Sequence, residues 1–314
     1  MPDIPASLRE LWDASGPVLR HRLLRDVVGH DESYVETMSM GLDLLRLPDV
    51  RQILESQVNG AWGDFRTTEI AAHRLCELGL ESHRALEQLR ELVLQPTLFK
   101  EDLIWEFEQA GLDAEGNKHA RRIIRDKSVH LVCRMLRDED ELMRTFLEQI
   151  LAEWERYLSA AAKDEYVPYP TADGYAAVCR YPWDDDSFPR IADVVKRMTL
   201  HVEATPPPST FPRLLAPFLF RLFDKWQYIE QPPRMLYDLE LTARLGVARD
   251  LDFSAWMLEE MEARQDADGF FRFPDAGEIQ SSWYFPLEKE NPDEFHLEYT
   301  FRAELIFKLL AYDL

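Results

Sequence analysis

Apolar residues recur at helical spacing along almost the whole chain. Leu19, Leu23, Leu24 and Val27 form one such set, and Ile70, Leu75 and Leu78 form another. The spacing returns in Ile123, Ile124, Val129, Val132 and Leu136, in Leu142, Phe146, Ile150 and Trp154, and in Leu305 and Leu309. Such residues line one side of a helix and need a neighbour to cover them. No segment sustains the period-2 alternation of a half-buried strand. Prolines gather instead at 166–189, 205–217 and 231–233, where they mark long loops or helix starts.

The helical segments repeat. Thr68-Glu69-Ile70-Ala71-Ala72-His73-Arg74-Leu75-Cys76-Glu77-Leu78 aligns with Thr300-Phe301-Arg302-Ala303-Glu304-Leu305-Ile306-Phe307-Lys308-Leu309-Leu310 through Thr, Ala and the later apolar positions. A third copy, 237–246, matches 70–79 and shares its closing Leu-Gly. Aromatic-bearing loops precede each copy: Trp62 and Phe65, then Trp226 and Tyr228, then Trp283 to Phe285. Before each loop lies another helical segment, at 50–57, 212–225 and 251–264. Two more pairs are expected, 81–94 with 117–136 and 139–162 with 187–198, besides an N-terminal pair, 7–28 and 34–45. A pair of ~45–60 residues cannot bury both faces alone, so pairs must stack or close into a ring.

The expected fold is therefore all-α: an α/α toroid of about five to six helix pairs, closed round a central cavity. It spans 1–314 as one domain, with 1–48 an N-terminal helical pair that caps or completes the ring. Inner helices are expected at 66–79, 234–246 and 296–312. Trp62, Trp226 and Trp283 take corresponding loop positions, and at least two of them are expected to be largely buried.

Several motifs carry a resemblance. They are Pro17-Val18-Leu19-Arg20-His21-Arg22-Leu23-Leu24-Arg25-Asp26-Val27-Val28-Gly29, Leu54-Glu55-Ser56-Gln57 with Gly60-Ala61-Trp62-Gly63, 72–80, and Gln265-Asp266-Ala267-Asp268-Gly269-Phe270. Together they resemble the prenyltransferase and squalene-cyclase-like repeat proteins, in particular the short bacterial members. The resemblance implies the toroid and an apolar ligand, with a proton-initiated cyclase or isomerase of an isoprenoid among its activities. Squalene-cyclase-like enzymes protonate an alkene with an Asp-x-Asp-Asp motif at the head of an inner helix. Here Asp184-Asp185-Asp186-Ser187 begins an inner-helix candidate, with Ser187 in place of the last Asp and Phe188 in place of the usual Thr. Asp184 and Asp186 are the candidate acid, since adjacent buried carboxyls raise one another's pKa. The same residues equally suit a helix N-cap. Protein prenyltransferases need a zinc site of Asp, Cys and His, and none can be placed here.

Trp183, Trp226, Tyr237, Phe271, Trp283 and Tyr284 are the candidate substrate-binding wall. Ring faces there would stabilise a carbocation, stack a sugar or hold an apolar ligand. Core filling between helices accounts for the same residues.

Charge narrows the partners. Lys and Arg total 36 against 58 Asp and Glu, a formal net charge of −22. That field repels nucleic acid and anionic membrane surfaces. Cys76, Cys133 and Cys179 are an odd, widely spaced set, which suits a reduced compartment and opposes a disulfide framework or structural zinc. The N-terminus lacks signal-peptide character and no apolar run reaches spanning length, so a cytoplasmic protein is expected. No histidine pair has ligand spacing, and Gly-rich phosphate loops and Gly-x-Ser-x-Gly are absent, so neither metal nor cofactor is expected. Three readings remain: a cyclase- or isomerase-like enzyme, a non-enzymatic α/α repeat scaffold or small-molecule binder, and a carbohydrate-active hydrolase or lyase. The last needs two carboxylates about 5–10 Å apart across the ring. Oligomeric state is not legible in the sequence.

Overall fold

A computed structural model of the 314-residue chain describes residues 4–30, 33–93, 118–161, 170–204, 232–273 and 295–311. Among these residues there are thirteen α-helices and no strand; the only bridges are Val58 with Ala61 and Gln265 with Phe271. The chain divides into two compact units. One comprises Met1–Ser56, His73–Leu80 and Lys225–Leu314, and the other Gln57–Ala72 and Glu81–Asp224.

The first unit begins with α1 (Arg9–Ala14), α2 (Pro17–Arg22), α3 (Val35–Leu44) and α4 (Pro48–Glu55). Proline opens α2 and α4, where its fixed φ suits a helix start and its missing N–H costs nothing. A π-helical turn, Leu23–Val28, continues α2 and ends at Gly29 in the left-handed region. Helix α5 (Phe65–Glu77) feeds residues to both units. Later come α11 (Pro232–Arg244), α12 (Asp252–Glu262) and α13 (Phe295–Ala311). Helix α11 packs on α12 and α13, burying Leu239, Met257, Met261, Phe271, Tyr299 and Ile306 in one apolar cluster. The expected inner helices 66–79, 234–246 and 296–312 are thus helices within a residue or two at most ends.

The shared Leu-Gly of the first and third copies has a common geometry. Gly79 and Gly246 lie at φ +81° and +68°. The next amide reaches back over the turn in each: Leu80 N–H to Leu75 O at 3.0 Å, and Val247 N–H to Thr242 O at 3.2 Å. This is the Schellman ending, which needs a left-handed residue and so favours glycine.

In the second unit, α6 (Arg84–Val93), α7 (Lys118–Met135), α8 (Glu141–Ala161), α9 (Ala172–Arg180) and α10 (Phe188–Ala204) follow one another. The expected partners α6 with α7, and α8 with α10, do pack together. Helix α8 buries Met143, Leu147, Ile150, Leu151 and Trp154, while Leu142 is exposed, so its inward stripe is turned from the one expected. On α5, likewise, Ile70 is exposed and Ala71, Ala72, Leu75 and Leu78 face inward.

Helix α9 corrects the reading of 166–189 as a loop. Every residue from Ala172 to Cys179 is buried, and α9 packs chiefly on α7. The segment is only nine residues long, carries Gly174 and lies between Pro170 and Pro182, all signals of a loop. Its start is set by Thr171, whose Oγ1 accepts from Gly174 N–H at 3.0 Å. The expected helix at 212–225 lies outside the described residues. No described helix is long and apolar enough to cross a membrane.

Candidate functional site

Asp184 stands at the start of α10 as a cap. Its Oδ1 accepts from Ser187 N–H at 2.7 Å, and its other oxygen pairs with Arg144 of α8. The Ser187 amide, reinforced by Arg144, holds the Asp184 carboxyl below its ordinary range. Asp185 and Asp186 are exposed. A proton donor of the kind expected here needs burial to keep its proton, and the local chemistry of Asp184 runs the other way.

Three of the six candidate wall residues, Trp183, Tyr237 and Phe271, are among the described residues, and each is buried. Trp183 is buried, donates Nε1–H to Val178 O at 2.9 Å and meets Tyr181 edge to face at 4.7 Å. Tyr181 in turn bridges the Asp140 backbone, accepting from its N–H and donating to its C=O, both at 2.9 Å. Tyr237 is buried on α11, and Phe271 belongs to the apolar cluster of the first unit. Trp226, Trp283 and Tyr284 lie outside the described residues.

Phe271 takes a place the repeat alignment gave to Trp283. Its backbone N–H donates to Thr300 Oγ1 at 2.9 Å. The N–H of Trp62, buried as expected, donates to Thr68 Oγ1 at 3.0 Å. Thr68 and Thr300 are the aligned threonines, so Phe271 is the counterpart of Trp62. Each aromatic stands at the end of a turn closed by an antiparallel bridge, Trp62 one residue after the Val58–Ala61 bridge and Phe271 within the Gln265–Phe271 bridge. In the second copy Asp266 organises that turn, accepting from the Asp268 and Phe270 amides at 3.0 and 2.9 Å and from Arg272 at 2.8 Å.

Two buried polar groups went unnoticed in the sequence. In the second unit, Asp126 and His130 lie one turn apart on α7, and Asp173 is the second residue of α9; all three are buried. His130 Nδ1 lies 3.2 Å from Asp173 Oδ1. Thr171 donates to Asp126, and Arg125 binds Asp126 at 2.7 and 2.8 Å while forking onto Glu153 of α8. Burial pushes the Asp126 carboxyl up to about 6, against the pull of Arg125. Burial likewise pushes Asp173 up to about 6, against Lys127. His130 is held well below its ordinary value by burial, then by Arg134 and Arg180. The His130–Asp173 contact therefore needs one proton, on the ring or on the carboxyl, and such a pair can give or take it. The i, i+4 spacing of Asp126 and His130 was the available signal; Asp173 was hidden in the supposed loop.

In the first unit the π-helical turn wraps the end of α5. Arg22 donates to Glu77 O, Arg25 donates to Gly79 O at 2.7 Å, and both pair with Asp26. Cations at a helix C-terminus satisfy its free carbonyls and oppose its dipole. Burial opposes the charge on Asp26, but Arg22 and Arg25 outweigh it and hold that carboxyl below its usual range. Arg302 of α13 joins Glu77 at 2.8 Å and Glu298 at 3.1 Å, all three buried. His21 is pushed down to about 4 by burial and then by Arg25.

The three cysteines are buried and free, and no cluster of metal-ligating side chains occurs among the described residues. A shallow groove of about 450 Å³ runs along α4, lined by Arg46, Pro48, Arg51, Gln52, Glu55 and Ser56. Comparison with family models, with curated proteins and with solved structures gives no match.

Proposed function

We propose that the chain is an α/α-repeat scaffold, similar to the squalene-cyclase-like repeat proteins, whose helix pairs close into a ring and which works by binding. The observation that carries this is Asp184, capped onto Ser187 and paired with Arg144. The group best placed in the sequence to start a cyclisation has one oxygen on the start of α10 and the other on Arg144 of α8, and Asp186 faces water. Trp183, Tyr237 and Phe271 support the same reading, because each is buried in contacts between helices. The matching Trp62–Thr68 and Phe271–Thr300 bonds support ring closure, since they make the two copies variants of one unit.

A second reading is favoured by one observation. The Asp173–His130 pair, with Asp126 beside it on α7, has the burial that the Asp184 site lacks. In that reading the chain is a proton-initiated cyclase or isomerase of an isoprenoid or other apolar small molecule, with Asp173 as the donor.

Deuterium separates the two. Squalene and shorter isoprenoid alkenes, dispersed in detergent and incubated with the protein in D2O, would take up deuterium at carbon if a proton starts the reaction. The scaffold reading predicts no uptake above that seen with Asp173→Asn. Uptake by the wild type that Asp173→Asn abolishes would overturn it in favour of the enzyme.

A further inference from the structure

Of the chain's three asparagines, Asn59 alone precedes a glycine. Among the described residues it is also the one residue other than glycine with a positive φ, at +53°, and Gly60 follows at +87°. Val58 and Ala61 close the turn round them, Val58 N–H to Ala61 O at 2.8 Å and Ala61 N–H to Val58 O at 3.1 Å. A two-residue hairpin turn with both central residues left-handed is the one that asparagine followed by glycine fits best. Gly60 is required twice over, by its φ and because a Cβ there would run into Leu92 Cδ1 of α6. Asn59 is exposed, while Gly60 is buried beneath it. The fold thus demands glycine after asparagine, and that pair brings its own chemistry: with no side chain on the following residue, the amide nitrogen reaches the asparagine Cγ unhindered.

We infer that Asn59 is a site of spontaneous deamidation and isomerisation, and that its product breaks the bond between Trp62 and Thr68. Base removes the Gly60 amide proton and the nitrogen bonds to Asn59 Cγ. The Cγ–Nδ2 bond then breaks, and ammonia leaves with a proton taken from water. Water opens the resulting five-membered imide at either carbonyl, leaving aspartate or isoaspartate at position 59. The Gly60 nitrogen lies outside the bridge, whose bonds run from Val58 and Ala61. Attack still requires the turn to lift from Leu92, a local opening that costs far less than unfolding the chain. Isoaspartate adds one carbon to the main chain of a turn two residues long, so the two Val58–Ala61 bonds lose their register. Trp62 is next along, buried, with its N–H on Thr68 Oγ1 at 3.0 Å. A change at an exposed turn is therefore read in the core. The inference stands apart from whether the protein binds a partner or turns over an alkene.

The full-length protein is incubated in mildly alkaline buffer at physiological temperature and then digested with trypsin. Peptide 52–66, released between Arg51 and Arg66, holds Asn59 and no other asparagine. With time it should gain the mass of an oxygen in place of an NH group and split into two chromatographic species, at a rate that rises with hydroxide. The peptide holding Asn117, which precedes lysine, should stay unchanged over the same interval. As conversion proceeds, the thermal midpoint should fall by at least about 2 °C, because the buried Trp62 amide loses its acceptor. Asn59→Gly keeps the left-handed turn and removes the side-chain amide, so it should hold its midpoint through the same incubation. Thr68→Val already lacks the acceptor and should lose less than the wild type does. A folded chain that stays unconverted while synthetic peptide 52–66 converts would overturn the inference, since the turn would then keep the pair inert. Conversion without a fall in the midpoint, or an equal fall in Asn59→Gly or Thr68→Val, would overturn the link to Trp62.

Discussion

Thr300 Oγ1 accepts the backbone N–H of Phe271 at 2.9 Å and donates to His296 O at 2.6 Å, so one hydroxyl ties the turn at 265–271 to the first turn of α13. Phe271 and Thr300 are both buried. Thr68 receives Trp62 in the same way at the start of α5. In each case an aromatic residue at the end of a bridge-closed turn drops into the core, and its amide needs an acceptor. A buried amide without one costs about 1–3 kcal/mol.

Thr68→Val and Thr300→Val remove that acceptor while keeping side-chain shape. Each should lower unfolding free energy by about 1–3 kcal/mol, read from urea denaturation, and Thr→Ser at the same positions should restore most of the loss. Equal stability of the valine variants would mean that water or another group takes the amide, and that the two turns are not equivalent locks.

The acidic trio before α10 gives a second prediction. Asp184→Ala removes a cap and should cost about 1 kcal/mol. Asp186→Asn changes an exposed side chain and should stay within about 0.5 kcal/mol of wild type. A large loss in Asp186→Asn, or none in Asp184→Ala, would contradict the capping geometry.

Much of this was legible in the sequence and some could not be. Helix positions followed from apolar spacing, and the Leu-Gly endings at 79 and 246 followed from their pairing in the repeats. The aligned Thr68 and Thr300 prove to be the acceptors at the two turns. Their donors were harder to match: Trp62 stands six residues before its threonine and Phe271 twenty-nine before, so the nearer aromatic, Trp283, drew the alignment. Helix α9 was lost because it is nine residues long and carries Gly174 between Pro170 and Pro182, all signals of a loop. Asp173 went with it. Its contact with His130 spans 43 residues, and the Thr171–Asp126 bond spans 45, distances at which sequence pattern carries no signal.

Protonation of this buried group gives a third prediction. Asp126 and Asp173 have pKa values raised to about 6 from an ordinary 3.8. Folding therefore favours their protonated forms, a stabilisation fully present below about 4 and lost as pH rises through about 6. His21 and His130 are lowered, so folding favours their neutral forms, a stabilisation present above 6.5 and lost as pH falls. Between about pH 6.5 and 4.5 the two pairs oppose each other. Asp173→Asn removes one carboxyl and leaves the histidines less compensated. Its urea midpoint should fall more steeply than that of wild type on going from about pH 6.5 to about 4.5. Parallel profiles would show that Asp173 titrates normally and is not desolvated.

Ring closure is tested most directly by small-angle scattering from the full-length protein in solution. A 314-residue chain folded into one closed, compact body should have a radius of gyration of about 20 Å. Closure predicts that value with a near-symmetric distribution of interatomic distances. An open superhelix of the same helix pairs would be longer than it is wide. A clearly larger radius with an extended tail in the distance distribution would contradict the ring.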